Sequence, residues 1–343
     1  MKALMLTEYN HLEYQDVPEP VVGPEDVLIS VKACGICGSD VHGMDGSTGR
    51  RRPPLVMGHE AAGVITRVGD AVRGWAVGDR VTFDSTIYCG ACPPCRAGRI
   101  NLCDNRRVLG VACEEYRQHG AFAELVAVPQ RILYRLPEGL SFERAAVVEP
   151  LSIAFHAVSR TRIALDDTAL VVGTGMVGLL VVQALRLAGC GRILAADLDP
   201  RRLELACRLG ANEGLQADKV DVAAEVLRRT GGRGADVVLE VVGLSSTVQT
   251  CIASLRKGGQ LTLVGNLSPK VELPLQAVVT RELTLNGSCA SQGEYPACLN
   301  MLARGAVNVD AITSAVALLS EGASWFHRLY KGDEGLIKVI LTP

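Results

Sequence analysis

The sequence predicts an α/β protein of two domains, a β-rich domain followed by a doubly wound parallel sheet with helices on its faces. Three observations carry this prediction. The chain has 343 residues, which gives room for about two domains. Before about residue 150, apolar and alternating segments lie between turn residues, as strands do. From about residue 155, strand-like and helix-like segments alternate, as in sheets built from crossover units.

The β-rich domain is predicted over residues 1–154. Its clearest strands are residues 26–35, 61–69 and 79–85, and the Gly- and Asp-rich loop "GDAVRGWAVGDRV" joins the last two. This pattern indicates a barrel or twisted sheet with long loops. One of these loops, over about residues 88–105, contains four cysteines.

The four cysteines follow the spacing Cys-x2-Cys-x2-Cys-x7-Cys in "CGACPPCRAGRINLC". A disulfide framework, an iron–sulfur cluster and a zinc site are the candidates. The N-terminus, "MKALMLTEYN", shows no export signal, so we expect a reduced cytoplasmic protein without disulfides. Bacterial-type cluster motifs end in Cys-x3-Cys-Pro, which this loop lacks. Four thiolates close a tetrahedral sphere, which predicts a structural zinc site at Cys89, Cys92, Cys95 and Cys103.

Charge and hydropathy argue against two classes of partner. The formal net charge is −2, and "PPCRAGR" supplies only two arginines with no interleaved aromatic residues, so a zinc ribbon that binds nucleic acid is not expected. The uncharged run over residues 168–185 is long enough for a membrane helix. Its three glycines at turn spacing favour a strand–turn–helix instead, so we expect no membrane partner.

The second domain is predicted over residues 155–290. The strands 169–173, 192–198 and 235–243 each precede a helical segment, and the strands "QLTLVGN" and "ELTLNGS" follow. Such an alternation indicates parallel strands with crossover helices. Residues 291–343 return to helix and strand, and we expect them to rejoin the first domain.

A glycine-rich turn opens the second domain. "VVGTGMVG" places Gly173, Gly175 and Gly178 in the G-x-G-x-x-G spacing, after an apolar strand and before an apolar helix. Asp197 ends the next strand, nineteen residues after Gly178. This context is the fingerprint of a Rossmann dinucleotide-binding domain, in which the acid binds the adenosine ribose. We therefore predict NAD in preference to NADP, although Arg201 and Arg202 could accommodate a 2′-phosphate.

The first domain also contains candidate ligands for a catalytic metal. "CGICGSDVH" and "MGHEAAG" offer Cys37, His59 and Glu60, and "VVEPLSIAFHA" adds Glu149. Mixed Cys, His and carboxylate ligands with an open position are typical of a catalytic zinc. Each motif is unremarkable alone, and their presence beside a nucleotide loop is what favours a zinc-dependent dehydrogenase.

Along nearly its whole length the chain resembles the zinc-containing medium-chain alcohol dehydrogenases, on the branch of the polyol (sorbitol/L-iditol) and butanediol dehydrogenases. The matching motifs are "GICGSDVH", "GHEAAGVITRVGDAV", "GDRV", the four-cysteine loop, "VEPLSIAFHA" and "VVGTGMVGLL". The resemblance implies a GroES-like catalytic domain and a Rossmann domain. It assigns Cys37, rather than Cys34, to the catalytic zinc. It leaves open whether Glu60 or Glu149 is the direct zinc ligand.

The resemblance also implies roles for residues that no pattern assigns. Ser39 and His42 match a proton relay through the cofactor ribose, and Asp40 would orient a metal ligand. Lys338 could reach the pyrophosphate or be solvated. The remaining matches are contacts to the cofactor, at Val177, Arg202, Val264, Gly265, Asn266, Ser288 and Cys289.

The expected function is therefore reversible hydride transfer from a secondary alcohol, a polyol or vicinal diol, to NAD, giving a ketose or ketone. We expect two zinc ions per chain and, by resemblance, a homo-oligomer, a tetramer or a dimer. The alternatives are L-threonine 3-dehydrogenase, a polyol-phosphate dehydrogenase that uses the arginines of "GRRRPP", and a cofactor-binding protein without turnover. A solvated basic loop is the other interpretation of "GRRRPP".

Overall fold

A computed structural model describes residues 1–113, 116–333 and 335–343. The strands in this part of the chain are β1 (Lys2–Glu8), β2 (His11–Asp16), β3 (Asp26–Gly35), β4 (Leu55–Val56), β5 (Glu60–Val68), β6 (Arg80–Phe83), β7 (Thr86–Ile87), β8 (Arg107–Val108), β9 (Val111–Ala112), β10 (Arg117–Gln118), β11 (Leu125–Pro129), β12 (Leu133–Arg135), β13 (Thr168–Val172), β14 (Arg192–Asp197), β15 (Glu213–Gln216), β16 (Ala235–Glu240), β17 (Leu255–Leu263), β18 (Thr284–Gly287), β19 (Thr313–Leu318) and β20 (Lys338–Thr342).

Helices connect many of these strands. They are α1 (Gly38–Val41), α2 (Pro93–Arg96), α3 (Phe142–Ala146), α4 (Val148–Ser159), α5 (Met176–Leu187), α6 (Pro200–Arg208), α7 (Val222–Arg229), α8 (Ser245–Ser254), α9 (Leu275–Thr280), α10 (Tyr295–Ala303) and α11 (Gly322–Lys331), with short 3-10 helices at Ile100–Leu102, Gln130–Ile132 and Leu319–Glu321. None of the helices in the described ranges is long and apolar enough to cross a membrane.

The first of two structural units comprises Met1–Glu149 and Gln292–Pro343. Its main sheet has the strand order β12-β6-β5-β3-β20-β19, with β11 also paired to β3. The ten-residue β3 is central, and it pairs antiparallel with β5, β11 and β20. Seven of the ten residues of β3 are buried, and Val27, Ile29, Val31 and Cys34 join the core of this unit. The C-terminal segment therefore completes the sheet that the N-terminal segment begins.

The second unit, Pro150–Ser291, contains a six-stranded sheet in the order β15-β14-β13-β16-β17-β18. Every pairing in it is parallel. The strands β13 and β16 are almost entirely buried, as expected when helices cover both faces of a parallel sheet. This order is that of the Rossmann fold, in which ligands bind beyond the carboxyl ends of the strands.

Candidate active site and metal centres

The four cysteines of the loop over residues 89–103 lie together. Their sulfur atoms are all within 4.8 Å of one another, and Cys92 Sγ lies 3.8 Å from Cys103 Sγ. Four thiolates around one zinc ion at the usual Zn–S bond length of about 2.3 Å would be about 3.8 Å apart. A disulfide would need a distance of about 2 Å. The residues present therefore fit a tetrahedral zinc ion.

Local backbone geometry brings these cysteines together. Gly90 and Gly98 adopt positive φ angles of 76° and 74°, which allow tight turns on either side of α2. The backbone N–H of Cys89 donates to Cys103 Sγ at 3.3 Å. Hydrogen bonds from the backbone at Ala91 and Cys92 lower the pKa of Cys89 to about 6, which favours the thiolate that binds metal.

A second group of candidate ligands comes from separate elements of the first unit. Cys37 caps the N-terminus of α1, and His59 and Glu60 lie where β5 begins. One ligand atom from each of the three lies within 4.8 Å of the others. His59 and Glu60 are 6% and 1% exposed. A thiolate, an imidazole and a carboxylate form a donor set that suits a catalytic zinc ion with one position left for substrate.

Asp40 lies behind His59. Its Oδ2 is 3.4 Å from His59 Nδ1, and its Oδ1 accepts from Arg51 Nε and Nη2 at 3.0 and 2.8 Å. Burial alone would raise the pKa of Asp40, but the charges of His59 and Arg51 lower it to about 2. Burial would likewise lower the pKa of His59, and the charges of Asp40 and Cys37 raise it well above its usual value instead. Zinc binding would therefore displace a proton from His59.

The position of Arg51 corrects two sequence-based interpretations. The side chain is 4% exposed and ion-paired with Asp40, so it is neither part of a solvated basic loop nor available to a phosphate ester. Of the three arginines only Arg50 is exposed, and Arg52 is half-buried. The sequence could not show this, because an arginine run looks the same whether its members point outward or inward.

Glu60 forms a buried ion pair with Lys338. Both side chains are 1% exposed, and Lys338 Nζ also donates to the carbonyl of Ile36 at 2.9 Å. Of the two alternatives for Lys338, contact with the pyrophosphate or a solvated lysine, the solvated lysine is therefore wrong. Although burial would lower the pKa of Lys338, the charge of Glu60 keeps it raised. Glu60 Oε1 is buried without a hydrogen-bond partner among the described residues, so this oxygen is available to a metal.

Glu149 lies in the first turn of α4 and is 6% exposed. Its Oε1 accepts from Ser85 Oγ at 3.0 Å. Burial raises the pKa of Glu149 to about 7, against the lowering effect of the His59 charge. The structure groups Glu60, and not Glu149, with Cys37 and His59.

Ser39 and His42 are both exposed on the short helix that Cys37 begins. Ser39 Oγ donates to Cys37 Sγ at 3.2 Å and accepts from Arg51 Nη2 at 3.1 Å. His42 ends the helix, and its carbonyl accepts from Ser47 Oγ at 3.0 Å. Ser39 therefore contacts the candidate metal ligand, and both candidate relay residues lie at the protein surface.

The glycine-rich turn of the second unit has room for a ligand. Gly173 has a φ of 93°, and a Cβ on Gly178 would lie 1.9 Å from the carbonyl oxygen of Gly173. A Cβ on Gly175 would meet no atom within 4 Å. Gly175 caps α5, whose first turn contains Val177, without a side-chain hydrogen bond. The free space at Gly175 and the absence of a side-chain cap on α5 therefore fit a bound pyrophosphate at this helix N-terminus.

Asp197 supports the same turn in a way that the sequence did not suggest. Its Oδ2 accepts from the backbone N–H of Thr174 at 2.6 Å and from Thr174 Oγ1 at 3.0 Å. Its Oδ1 accepts from Asp199 N at 3.0 Å. Arg201 forms an ion pair with Asp199 at 3.1 Å, whereas Arg202 is half-buried in the next position of α6.

The other candidate cofactor residues follow β17 and β18. Val264 and Gly265 donate to the carbonyl of Glu240 at 2.9 and 3.1 Å, and Asn266 is exposed. Ser288 donates to the carbonyl of Leu263 at 2.9 Å, and Cys289 is exposed. These residues and Gly173 follow the carboxyl ends of parallel strands and Asp197 ends one, so they lie along one edge of the sheet.

Glu240 is a residue of this edge that sequence reasoning missed. It is fully buried at the end of β16, and its Oε1 accepts from Gly243 N at 2.8 Å and from Thr247 Oγ1 at 2.6 Å. An acid that ends the apolar strand "ADVVLE" was the available signal. It fixes the turn against which Gly265 packs, where a Cβ would lie 2.3 Å from the backbone of Val242.

The fold and these two centres define a zinc-dependent dehydrogenase with a Rossmann domain, and comparison with known proteins agrees. Residues 23–138 match the family model described as alcohol dehydrogenase GroES-like domain, and residues 176–304 match zinc-binding dehydrogenase. The chain therefore belongs to the zinc-containing medium-chain alcohol dehydrogenase family. The predictions of the family, of an enzyme and of an α/β fold with a GroES-like and a Rossmann domain are confirmed.

Individual relatives are similar over essentially the whole chain. A sorbitol dehydrogenase of Bacillus subtilis is 33% identical, over 100% of this chain and 97% of its own. D-xylulose reductase A of Aspergillus oryzae is 34% identical, over 96% and 94%. The crystal structure of a zinc-binding dehydrogenase of Sinorhizobium meliloti, bound to NADP, superimposes with a TM-score of 0.91 at 33% identity, over 100% and 99%. These relatives place the chain on the polyol dehydrogenase branch.

Proposed function

We propose that this protein oxidises a secondary hydroxyl group of a neutral polyol or vicinal diol to a ketone, with NAD as the hydride acceptor. The hydroxyl carbon loses a hydride to the nicotinamide, the hydroxyl loses its proton to water, and the reverse reaction restores both. The observation that carries the proposal is the group of half-buried Cys37 with buried His59 and Glu60, whose donor set fits a catalytic zinc ion. The four-cysteine loop would hold a second, structural zinc ion.

The chain's own residues would divide the work at the centre formed by Cys37, His59 and Glu60. Cys37, His59 and Glu60 Oε1 would hold the ion, which as a Lewis acid lowers the pKa of the substrate hydroxyl. Lys338 balances the charge of Glu60, so the carboxylate can be retained in a buried position. Ser39 and His42 would move the released proton to the surface, where both are exposed.

Glu149 supports a hydroxyl-rich substrate. Its buried carboxyl group is held by Ser85 and lies outside the group of three candidate ligands. A carboxylate at this position accepts hydrogen bonds from hydroxyl groups. A polyol has several hydroxyl groups, whereas an ethanol-like alcohol has only one. Glu149 would orient a polyol, or exchange with Glu60 during the reaction.

The preference for NAD depends on Asp197. A carboxylate at this position accepts from the ribose hydroxyls and repels a 2′-phosphate. Its contacts with Thr174 hold it beside the turn that would bind the pyrophosphate. The ion pair with Asp199 holds Arg201 back from a 2′-phosphate. Val177, Arg202, Val264, Gly265, Asn266, Ser288 and Cys289 would contribute the remaining contacts to the cofactor.

We further propose a cytoplasmic homo-oligomer, a tetramer or a dimer. β18 is an edge strand of the six-stranded sheet. In the segment between β17 and β18, four large apolar side chains are 43–65% exposed, namely Leu267, Leu273, Leu275 and Val279. An edge strand beside an apolar patch is a suitable interface for a second copy of the chain. The reducing conditions of the cytoplasm would keep the thiolate metal ligands from forming disulfides.

The test is a panel of substrates assayed with NAD and with NADP by the absorbance of the reduced cofactor. It contains sorbitol, xylitol, 2,3-butanediol, ethanol, L-threonine and sorbitol 6-phosphate. We expect the highest kcat/KM for a neutral polyol or diol with NAD. The buried Arg51 argues against the phosphate ester. A higher kcat/KM for threonine, or for the phosphate, would replace the proposed substrate class.

A further inference from the structure

We propose that Arg51 is a positioning residue of the catalytic zinc site, which fixes Cys37 and His59 together through one buried guanidinium group. The inference rests on the proposed zinc at Cys37, His59 and Glu60. It assigns a role to an arginine that the sequence motifs left without one.

Two chains of polar contacts lead from Arg51 to the candidate ligands, one ending in an ion-pair contact with His59 and one made of hydrogen bonds to Cys37. Through Asp40, the guanidinium reaches His59: Nε and Nη2 donate to Asp40 Oδ1 at 3.0 and 2.8 Å, and Asp40 Oδ2 lies 3.4 Å from His59 Nδ1. The second chain passes through Ser39, since Nη2 donates to Ser39 Oγ at 3.1 Å and this hydroxyl donates to Cys37 Sγ at 3.2 Å. One side chain therefore orients partners of two ligands.

The surroundings of Arg51 argue against a role in packing alone. Its side chain and that of Asp40 are 4% and 0% exposed, and burying two charges costs free energy that apolar residues would not. The stem of Arg51 also needs space, because a Cβ on Gly43 would lie 2.5 Å from Arg51 Cγ. The chain thus keeps a buried charge and leaves room for its stem directly behind the metal ligands.

The contacts require a guanidinium rather than any cation. Arginine carries five N–H donors in a rigid planar fork, whereas the ammonium of lysine is a compact point charge. An ammonium at this position could pair with Asp40 but could not also reach Ser39 in the same plane. Lysine at position 51 should therefore preserve the contacts through Asp40 to His59 and lose the contacts through Ser39 to Cys37.

The test compares Arg51→Gln and Arg51→Lys with the wild-type holoenzyme, and Arg50→Gln is the matched control because Arg50 is the exposed neighbour. Zinc release to an excess of chelator is followed with a metallochromic indicator. We expect the wild type to release two zinc ions in separate phases. Arg51→Gln should accelerate one phase by about 10–100-fold, the range for residues that orient metal ligands. The other phase, from the four-cysteine loop, and both phases of Arg50→Gln should stay unchanged.

The second readout is the absorption spectrum of the Co²⁺-substituted protein, which, like zinc release, does not depend on turnover. With Co²⁺ in place of the catalytic zinc, the thiolate-to-metal absorption band should shift in both Arg51 variants and stay unchanged in Arg50→Gln. Arg51→Lys is the safeguard if Arg51→Gln does not fold. Unchanged release and an unchanged band in a folded Arg51 variant would overturn the inference. A wild type that holds zinc only in the four-cysteine loop would overturn the proposed function itself, which is a different result.

Discussion

The two candidate metal centres of the first unit are built in opposite ways. The four-cysteine site takes all its ligands from fifteen consecutive residues, 89–103, and tight turns shape it. The other site joins Cys37, which caps α1 two residues after β3, to His59 and Glu60, at the start of β5. Lys338 from β20 adds the counter-charge. One site is local in sequence, and the other depends on the assembled sheet.

The difference shows what holds the metal ligands of each site in position. Four thiolates repel one another, so the local site needs its metal to hold the loop together. The second site has ion pairs of its own, Asp40 with Arg51 and Glu60 with Lys338, which keep its ligands in place before a metal binds. Loss of metal should therefore cost stability at the first site and chemistry at the second.

The largest expected effect is on turnover. Cys37→Ser should lower kcat by about 10³-fold or more, because it removes a ligand of the Lewis acid, which supplies several kcal/mol to the transition state. The thermal midpoint, measured by circular dichroism, should stay near that of the wild type. Cys34→Ser is the control, since Cys34 belongs to the same motif but is buried outside the group of ligands. Equal activity of both variants would refute the assignment of Cys37.

Cys95→Ser should reverse this pattern. Losing one ligand of a closed structural site should destabilise the first unit by several kcal/mol, which lowers its thermal midpoint by about 10 °C. One zinc per chain should be lost in metal analysis, while kcat of the protein that stays folded should be nearly unchanged. Cys207→Ser, at an exposed cysteine of α6, should change neither quantity. A stable but inactive Cys95→Ser would contradict the division of roles between the two sites.

Lys338→Met tests the ion pair beside the second site. It leaves the buried carboxylate of Glu60 without its counter-charge, and we expect a loss of about 3 kcal/mol in the free energy of unfolding by urea. The double variant Lys338→Met/Glu60→Gln removes both charges and should recover much of this loss. No recovery in the double variant would show that Lys338 stabilises the sheet by packing rather than by charge.

The smallest expected effect concerns the cofactor. Asp197→Ser should reduce the ratio of kcat/KM for NAD to that for NADP by about tenfold, because repulsion of the 2′-phosphate is lost, and tenfold corresponds to about 1.4 kcal/mol. Thr174→Val is the control, since it removes one hydrogen bond to Asp197 but leaves the charge. If Thr174→Val changes the ratio equally, Asp197 acts through the shape of the turn and not through its charge.

Prediction from the sequence succeeded for elements with local patterns and failed for charged residues whose partners are distant in the chain. The strands over residues 26–35 and 169–173 were predicted almost to the residue, since they alternate or run apolar between turn residues. Arg51 and Lys338 were misjudged. The partner of Arg51 lies eleven residues away in the chain and that of Lys338 lies 278 residues away. No local sequence pattern predicts such an ion pair.

The sequence by itself determined the Rossmann sheet, the spacing of the glycine-rich turn and the four-cysteine loop, because these depend on periodicity, backbone freedom and short-range spacing. Only the tertiary structure decided that Glu60, and not Glu149, lies with Cys37 and His59, and that Glu60 faces Lys338. The physical reason is that a buried charge is tolerated only where folding supplies its partner, and that partner came from the last strand of the chain.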